Sequence, residues 1–334
     1  MKDEVIISVK DLKTFFYTNN MCNKAVNGVS FDIKKGKTLC IVGESGCGKS
    51  VTASSIMQLL PKLSRIEGGE ITYYSDKGDI RIDKLARSGK KMRSLRGSDI
   101  AMIFQDPMTS LNPVYSIGFQ IGENLKYHTD FSRKEIKDKS IDLLKEMGIP
   151  LPEQRVKEYP HQFSGGMRQR AMIAMAMSCD PTVLIADEPT TALDVTIQAQ
   201  IFELMDTLKS EFNTAIMLIT HDMGVVTELA DDVVVMYMGN IVETGTVGDV
   251  LRTPSHPYTK ALLQSIPILG RGKNQEIEPI RGTTPDPYKR PEGCQFMPRC
   301  DFADDSCLAM PEESKISSTH SVRCWHPTEV QKHA

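Results

Sequence analysis

The octapeptide Gly43-Glu44-Ser45-Gly46-Cys47-Gly48-Lys49-Ser50 has the spacing G-x-x-x-x-G-K-[ST], with the apolar run "LCIV" before it and a helix-patterned stretch after it. A loop of this kind between a strand and a helix wraps phosphates with successive backbone N–H groups, and the helix N-terminus adds partial positive charge. In that chemistry Lys49 reaches the β- and γ-phosphates and the Ser50 hydroxyl binds Mg2+, with the contact stretch running from Gly43 to Val51. Cys47 falls on a variable position and reads as a small filler, not a redox switch.

The segment "TVLIADEP" supplies acidic groups, because four apolar residues bring Asp187 and Glu188 to the carboxyl end of a buried strand. Asp187 is suited to hold Mg2+ through its water shell, and Glu188 to polarise a water for in-line attack on a γ-phosphate. In "FSGGMRQR", Ser164, Gly165, Gly166 and Met167 open a helix and make a second anion site. One nucleotide has one γ-phosphate, so this second site makes sense when it closes on the nucleotide of another subunit.

A third group lies near the C-terminus, where Cys294, Cys300, Cys307 and Cys324 form C-x5-C-x6-C-x16-C. Structural zinc sites favour tighter pairs, and a cubane cluster accepts one thiolate per iron from wide loops. Zinc, a [4Fe–4S] cluster and free thiols all remain open from spacing alone. His326, beside Cys324, is the histidine nearest this group, whereas His128, His161 and His256 read as surface or packing residues.

The elements that must position these residues alternate along the chain. Short runs rich in β-branched residues, "KTLCIVG", "DIAMIFQ", "TVLIADE", "AIMLITH" and "DVVVMYMG", are predicted strands. "KSVTASSIMQLL" and "TIQAQIFELMDTLKSEF" are predicted helices, and "GEITYYSD" and "NIVETG" antiparallel strands. The pattern implies an α/β domain over residues 1–265 with a largely parallel sheet. Residues 266–334 form a separate extension, rich in proline and probed by a different composition. Only eight of the 60 residues from Gln275 to Ala334 are Leu, Ile, Val or Phe, below the roughly 20% at which a chain rarely builds its own core. That extension needs a staple or a partner surface.

The net charge of −3 and pI near 6.2 give no electrostatic reason to expect nucleic acid as a partner. The start "MKDEVIISVKDL" lacks the features of a signal peptide, and no run approaches the roughly 18 apolar residues of a membrane span. A cytosolic setting follows as the expectation, and it disfavours disulfides among the cysteines.

The ordered set "GESGCGKS", "IFQDP", "FSGGMRQR", "LIADEPTTALD" and "ITHD" resembles the ATP-binding cassette of ABC transporters over nearly all of residues 5–265. The resemblance implies a P-loop cassette with a mixed sheet and a helical subdomain, plus the small Cys-rich extension. It implies ATP and Mg2+ as cofactors, and a head-to-tail dimer with each ATP between Gly43–Ser50 of one subunit and Ser164–Met167 of the other. By the same likeness Gln105 contacts Mg2+ or the attacking water, Asp194 lies at the dimer interface, and His221 holds the γ-phosphate. An aromatic residue of "KTFFYTNN" should stack on adenine, with Phe16 favoured over Tyr17. Phe163 and Met167 depart from the commonest signature, while its Ser-Gly-Gly core is intact.

"IFQDPMTSLNPVYSIGFQI", "FSGGMRQRAMIAMAM" and "TPSHPYTKALLQSIP" followed by "MPRC" resemble the oligopeptide/dipeptide/nickel importer group. That likeness implies two permease subunits, a second ATPase subunit that is either a paralogue or a copy of this chain, and an extracytoplasmic binding protein. It places the chain on the cytoplasmic face of the membrane, and in related importers such a tail implies an iron–sulfur cluster. Nickel import by the same family and a soluble, non-transport ABC ATPase are the alternative functions. A redox-sensing tail is a further one.

Overall fold

The computed structural model describes residues 4–18, 21–190, 195–265 and 279–327. Its strands are β1 (Val5–Thr18), β2 (Met21–Lys34), β3 (Thr38–Val42), β4 (Ser64–Tyr73), β5 (Ile80–Arg81) and β6 (Ile100–Ile103), then β7 (Val183–Asp187), β8 (Ala215–Thr220), β9 (Asp232–Tyr237), β10 (Asn240–Thr246), β11 (Ser314–Lys315) and β12 (Ser321–Val322). The chain divides into two compact units. One is formed chiefly by Ile33–Thr38 and Lys84–Ile219, the other by Ile7–Asp32, Leu39–Asp83 and Thr220–Ala334.

In the first unit, β8, β7 and β6 lie side by side and parallel, with Val183 opposite both Ile100 and Ala215. Val183–Ala186 and Ala215–Ile219 are buried along their length, as expected of strands covered on both faces. Helices Ile117–His128, Arg133–Glu146 and Gly165–Met177 pack on one another. Their starts are fixed by side chains: Ser116 Oγ accepts from Phe119 N–H, and Ser132 and Glu135 form a reciprocal capping box.

In the second unit, the sheet order β11-β12-β10-β9-β3 is mixed: β3 runs parallel to β9, while β9–β10, β10–β12 and β12–β11 are antiparallel. A separate antiparallel sheet has the order β2-β1-β4-β5. The helix predicted to run to Leu60 covers only Lys49–Ile56. Gln58 takes a left-handed conformation (φ 51°) and donates its side-chain amide to the Ile82 carbonyl at 3.1 Å, which ends the helix early.

The extension does find a partner surface. Arg323 N–H donates to Val242 O, Asn240 Nδ2 to Gln295 Oε1, Arg290 Nη1 to Met238 O and Thr319 Oγ1 to Asp249 Oδ2. At the centre, the fully buried Glu243 carboxylate accepts from the N–H groups of Ser255 and His256 and pairs with His320 Nε2 at 2.7 Å. A buried carboxylate needs such saturation. No described helix is long and apolar enough to cross a membrane.

Candidate functional site

The sequence-selected residues fall in both units, and each set has its own geometry. In the second unit, β3 is wholly buried and delivers the chain into Gly43–Ser50. Glycine is required by close approach at two places. A Cβ on Gly43 (φ 149°) would stand 2.2 Å from the Met236 carbonyl oxygen, and one on Gly48 (φ 107°) 2.2 Å from that of Ala25. Gly48 then caps the helix Lys49–Ile56, whose first turn carries Ser50 and Val51.

Lys49 is only 5% exposed, and its Nζ donates to the carbonyls of Gly43 at 2.6 Å and Glu44 at 3.1 Å. The charge is thus held inside the loop, where an anion lying on the loop's N–H groups would meet it. Burial pushes the Cys47 thiol up, with Lys49 pulling the other way, which agrees with a packed, neutral side chain. Ser45, Gly46 and Ser50 are exposed.

Phe16 and Tyr17 lie at the end of β1, where Phe16 is opposite Ser64 of β4. The Tyr17 hydroxyl donates to Glu67 Oε1 at 2.7 Å, Arg65 covers its ring at 4.9 Å, and the bond to Glu67 pushes its pKa up to about 12. Successive side chains alternate across a strand, so Phe16 points to the opposite face from Tyr17. His221 is exposed just after β8, and Asp222 Oδ1 beside it caps the helix Met223–Leu229.

In the first unit, Asp187 ends β7 and is 6% exposed, while Glu188 follows with φ 46°. A non-glycine residue in this left-handed region stores roughly 1–3 kcal/mol of strain and is concentrated at functional sites. The Glu188 N–H donates to Ile219 O at 2.9 Å, and Gln105 Nε2 donates to its Oε2 at 2.9 Å. Gln105 and Glu188, 83 residues apart, are thereby brought together. The Ser164 hydroxyl accepts from Met167 N–H at the start of the helix Gly165–Met177, leaving Ser164 and Gly165 exposed beside the buried Phe163. Gln169 of the same helix bonds the carbonyl of Pro189, tying the signature helix to the acidic strand end. Asp194 lies outside the described residues.

The four tail cysteines are also brought together. Cys294 N–H donates to Cys307 O at 2.9 Å, and a Cβ on Gly293 would stand 2.3 Å from that same oxygen, so glycine is needed there. Burial first, and then the other three thiols, push the Cys324 thiol up to about 12; burial, then Cys294 and Cys307, push Cys300 up to about 11. Burial also pushes the Cys294 thiol up, so thiolates at these positions call for a compensating charge, which a bound cation would supply. Beside them, the ligand atoms of Asp304, Cys307 and His326 lie within 4.8 Å of one another, and His326 Nε2 is 3.2 Å from Asp304 Oδ1.

Sequence reasoning missed three residues that the structure makes prominent. Arg299 holds Glu44 with two hydrogen bonds, of 2.7 and 3.0 Å. Tyr258, in the "HPY" segment, accepts from Glu44 N–H at 2.7 Å. His320 is buried against Glu243. The sequence signal for the first two was only their place in "HPY" and "MPRC"; none marked His320.

The family profile described as "ABC transporter" matches residues 26–191, and that described as "Oligopeptide/dipeptide transporter, C-terminal region" matches residues 242–307. A solved structure, the dimeric post-hydrolysis state of the ATP-binding cassette MJ0796 bound to ADP and Pi, superposes with a TM-score of 0.63 at 25% identity, covering 72% of this chain and 98% of that one. Fold and loop thus define an ABC-type ATPase. The chain is 49% identical to the dipeptide transport ATP-binding protein DppD of Bacillus subtilis (strain 168), over 99% of this chain and 97% of the relative. It is 49% identical, over 98% and 97%, to the probable peptide ABC transporter ATP-binding protein y4tR of Sinorhizobium fredii (strain NBRC 101917 / NGR234). The oligopeptide transport ATP-binding protein AppD of Bacillus subtilis (strain 168) is also 49% identical, over 96% of each chain. The chain belongs to the ATP-binding proteins of the oligopeptide/dipeptide ABC transporter family.

Proposed function

We propose that this ATPase drives import of di- or oligopeptides through two permease subunits, at the cytoplasmic face of the membrane, paired head to tail with a second ATPase subunit. The names of its relatives support the cargo class, and the exposed Phe104, next to Gln105 in sequence, with the exposed Val114, Tyr115 and Phe119 further along the same segment, supports a permease contact. Tyr115 and Phe119 stack at 4.6 Å, a preformed apolar platform. An extracytoplasmic binding protein delivers the peptide.

The observation that carries the catalytic reading is the Gln105–Glu188 bond at a strained strand end. Glu188 acts as general base on a water that Gln105 helps to place, and His221 orients the γ-phosphate. Gly43–Val51 cradle the phosphates, and Phe16 stacks on adenine. Ser164, Gly165, Gly166 and Met167 close on the nucleotide of the facing subunit, with Asp194 at that interface. Ser50, Asp187 and Gln105 are the Mg2+ side; the ion, when bound, neutralises developing phosphate charge.

Residues 1–265 act as the cassette and residues 266–334 as an extension stapled by a [4Fe–4S] cluster on Cys294, Cys300, Cys307 and Cys324. The mutual proximity of the four thiols supports this. Anaerobic purification should yield a coloured chain with about four irons and matching sulfide. A folded, colourless, iron-free chain overturns the cluster, and stoichiometric zinc replaces it. For the cargo, the assembled transporter in vesicles should hydrolyse ATP faster when peptide-loaded binding protein is added. Stimulation by nickel and not by peptide, or a stable complex with nucleic acid and no permease, overturns the peptide reading.

A further inference from the structure

Glu44 is the second residue of the phosphate loop, and the structure holds it from three sides. Its carboxylate receives both terminal nitrogens of Arg299, its N–H donates to the Tyr258 hydroxyl at 2.7 Å, and its carbonyl accepts from Lys49 Nζ at 3.1 Å. Arg299 belongs to the extension and immediately precedes Cys300. Its side chain is 3% exposed, and its remaining contacts fix the plane of the guanidinium. Nε donates to Arg281 O at 2.7 Å, Nη1 also approaches the Tyr237 hydroxyl at 3.3 Å, and the group lies 5.8 Å from the Phe296 ring centre. Burial works against its charge, but the bonds to Glu44 and Tyr237 more than compensate and raise its pKa. Tyr258 is fully buried and packed on Tyr237 and Phe296 at 4.6 and 5.4 Å, so its hydroxyl cannot swing away.

We infer that Arg299 is a positioning residue for nucleotide binding: the cysteine-bearing extension clamps Glu44, and through it the carbonyls that hold Lys49, so a folded extension sets the affinity of the loop for ATP. This rests on Gly43–Ser50 being the phosphate loop. The geometry favours it because a bidentate arginine–carboxylate pair removes two rotations from the loop before any ligand arrives, and preorganisation of this kind is recovered as affinity. Two coupled sites act on each other equally, so nucleotide must also tighten the extension.

The test is equilibrium binding of a fluorescent ATP analogue to the full chain without Mg2+, for Arg299→Met, Glu44→Gln and the double variant. Each single change should weaken binding about tenfold, within the usual range for coupled sites, and the double should be no weaker than the worse single. In the assembled transporter Arg299→Met should raise the KM for ATP while kcat at saturation stays within about twofold, a split that a general loss of folded protein would not give. Arg299→Lys, which cannot make the bidentate pair, should recover only part of the affinity. Additive effects, or wild-type affinity in Arg299→Met, overturn the inference. Should Arg299→Met lower the yield of folded chain, Arg299→Lys decides instead, because it keeps the charge and withdraws only the bidentate pair, and wild-type affinity in it overturns the inference. Lys49→Ala separates the two levels. If it binds as tightly as the wild type, the loop assignment fails and takes this inference with it. If it loses binding while Arg299→Met does not, the inference alone fails.

Discussion

At the scale of single residues, the proposed chemistry turns on Glu188. Its left-handed backbone aims the carboxylate toward Gln105, which donates a hydrogen bond to it at 2.9 Å. A glutamine at this position still offers a carbonyl oxygen to Gln105, so the geometry survives while the proposed base is gone. Glu188→Gln should therefore keep ATP affinity, accumulate a nucleotide-bound dimer on size exclusion, and hydrolyse ATP roughly 10²- to 10⁴-fold more slowly. Turnover at the wild-type rate would remove Glu188 from the role of base. The strand–loop–helix around Gly43–Ser50 was legible in the sequence because its glycines answer to hard contacts, as at Gly43 and Gly48. Arg299 was not, because its partner lies 255 residues away and a lone arginine before a cysteine carries no local pattern. Glu188 stands out in the sequence as a candidate, but its strained φ does not, since acidic residues after buried strands adopt ordinary turns as readily.

At the scale of elements, the helix Pro257–Gln264 shows how a start signal can carry a pH response. His256 caps it, its Nδ1 accepting from Tyr258 N–H at 3.0 Å, and burial lowers its pKa to about 3. Sequence reading placed His256 among surface or packing residues, and the structure makes it a buried cap. Between pH 6.5 and 3 the unfolded chain binds a proton here that the folded chain refuses, so stability falls as pH drops below about 6.5. The loss reaches about 2 kcal/mol by pH 5. His256→Asn keeps a capping oxygen and does not titrate. Urea denaturation at pH 7 and pH 5 should give a smaller difference for the variant than for the wild type; equal differences would show that His256 is not the titrating group. Strand and helix types were readable from periodicity, and boundaries less so. The helix after the phosphate loop ends at Ile56 because Gln58 finds the Ile82 carbonyl, a long-range bond that local propensity does not contain.

At the scale of the whole chain, the extension is more than an appendage on a cysteine site. Sequence composition indicated that it could not build a core alone, and the described part instead borrows the body's polar groups, with Glu243, Asn240 and Asp249 each anchoring it. The identity of those anchors was illegible, because a glutamate in a predicted strand normally faces water. One feature of that attachment reaches beyond nucleotide and metal. β12 pairs with β10 through Glu243–Val322 and Thr244–Ser321, and β11, only two residues long and bearing Lys315, is the last strand. Without them β10 would present an open row of N–H and C=O groups, flanked by the buried Ile241 and Val242, to any passing chain. A chain shortened after residue 278 should therefore scatter light in a concentration-dependent way at neutral pH, and a lysine in place of Thr244, the half-buried β10 residue that pairs with Ser321, should suppress it in the shortened chain. A monodisperse shortened chain would refute this. The short hairpin bearing Lys315 then serves as a guard against self-association, letting many copies be made at once without zipping together.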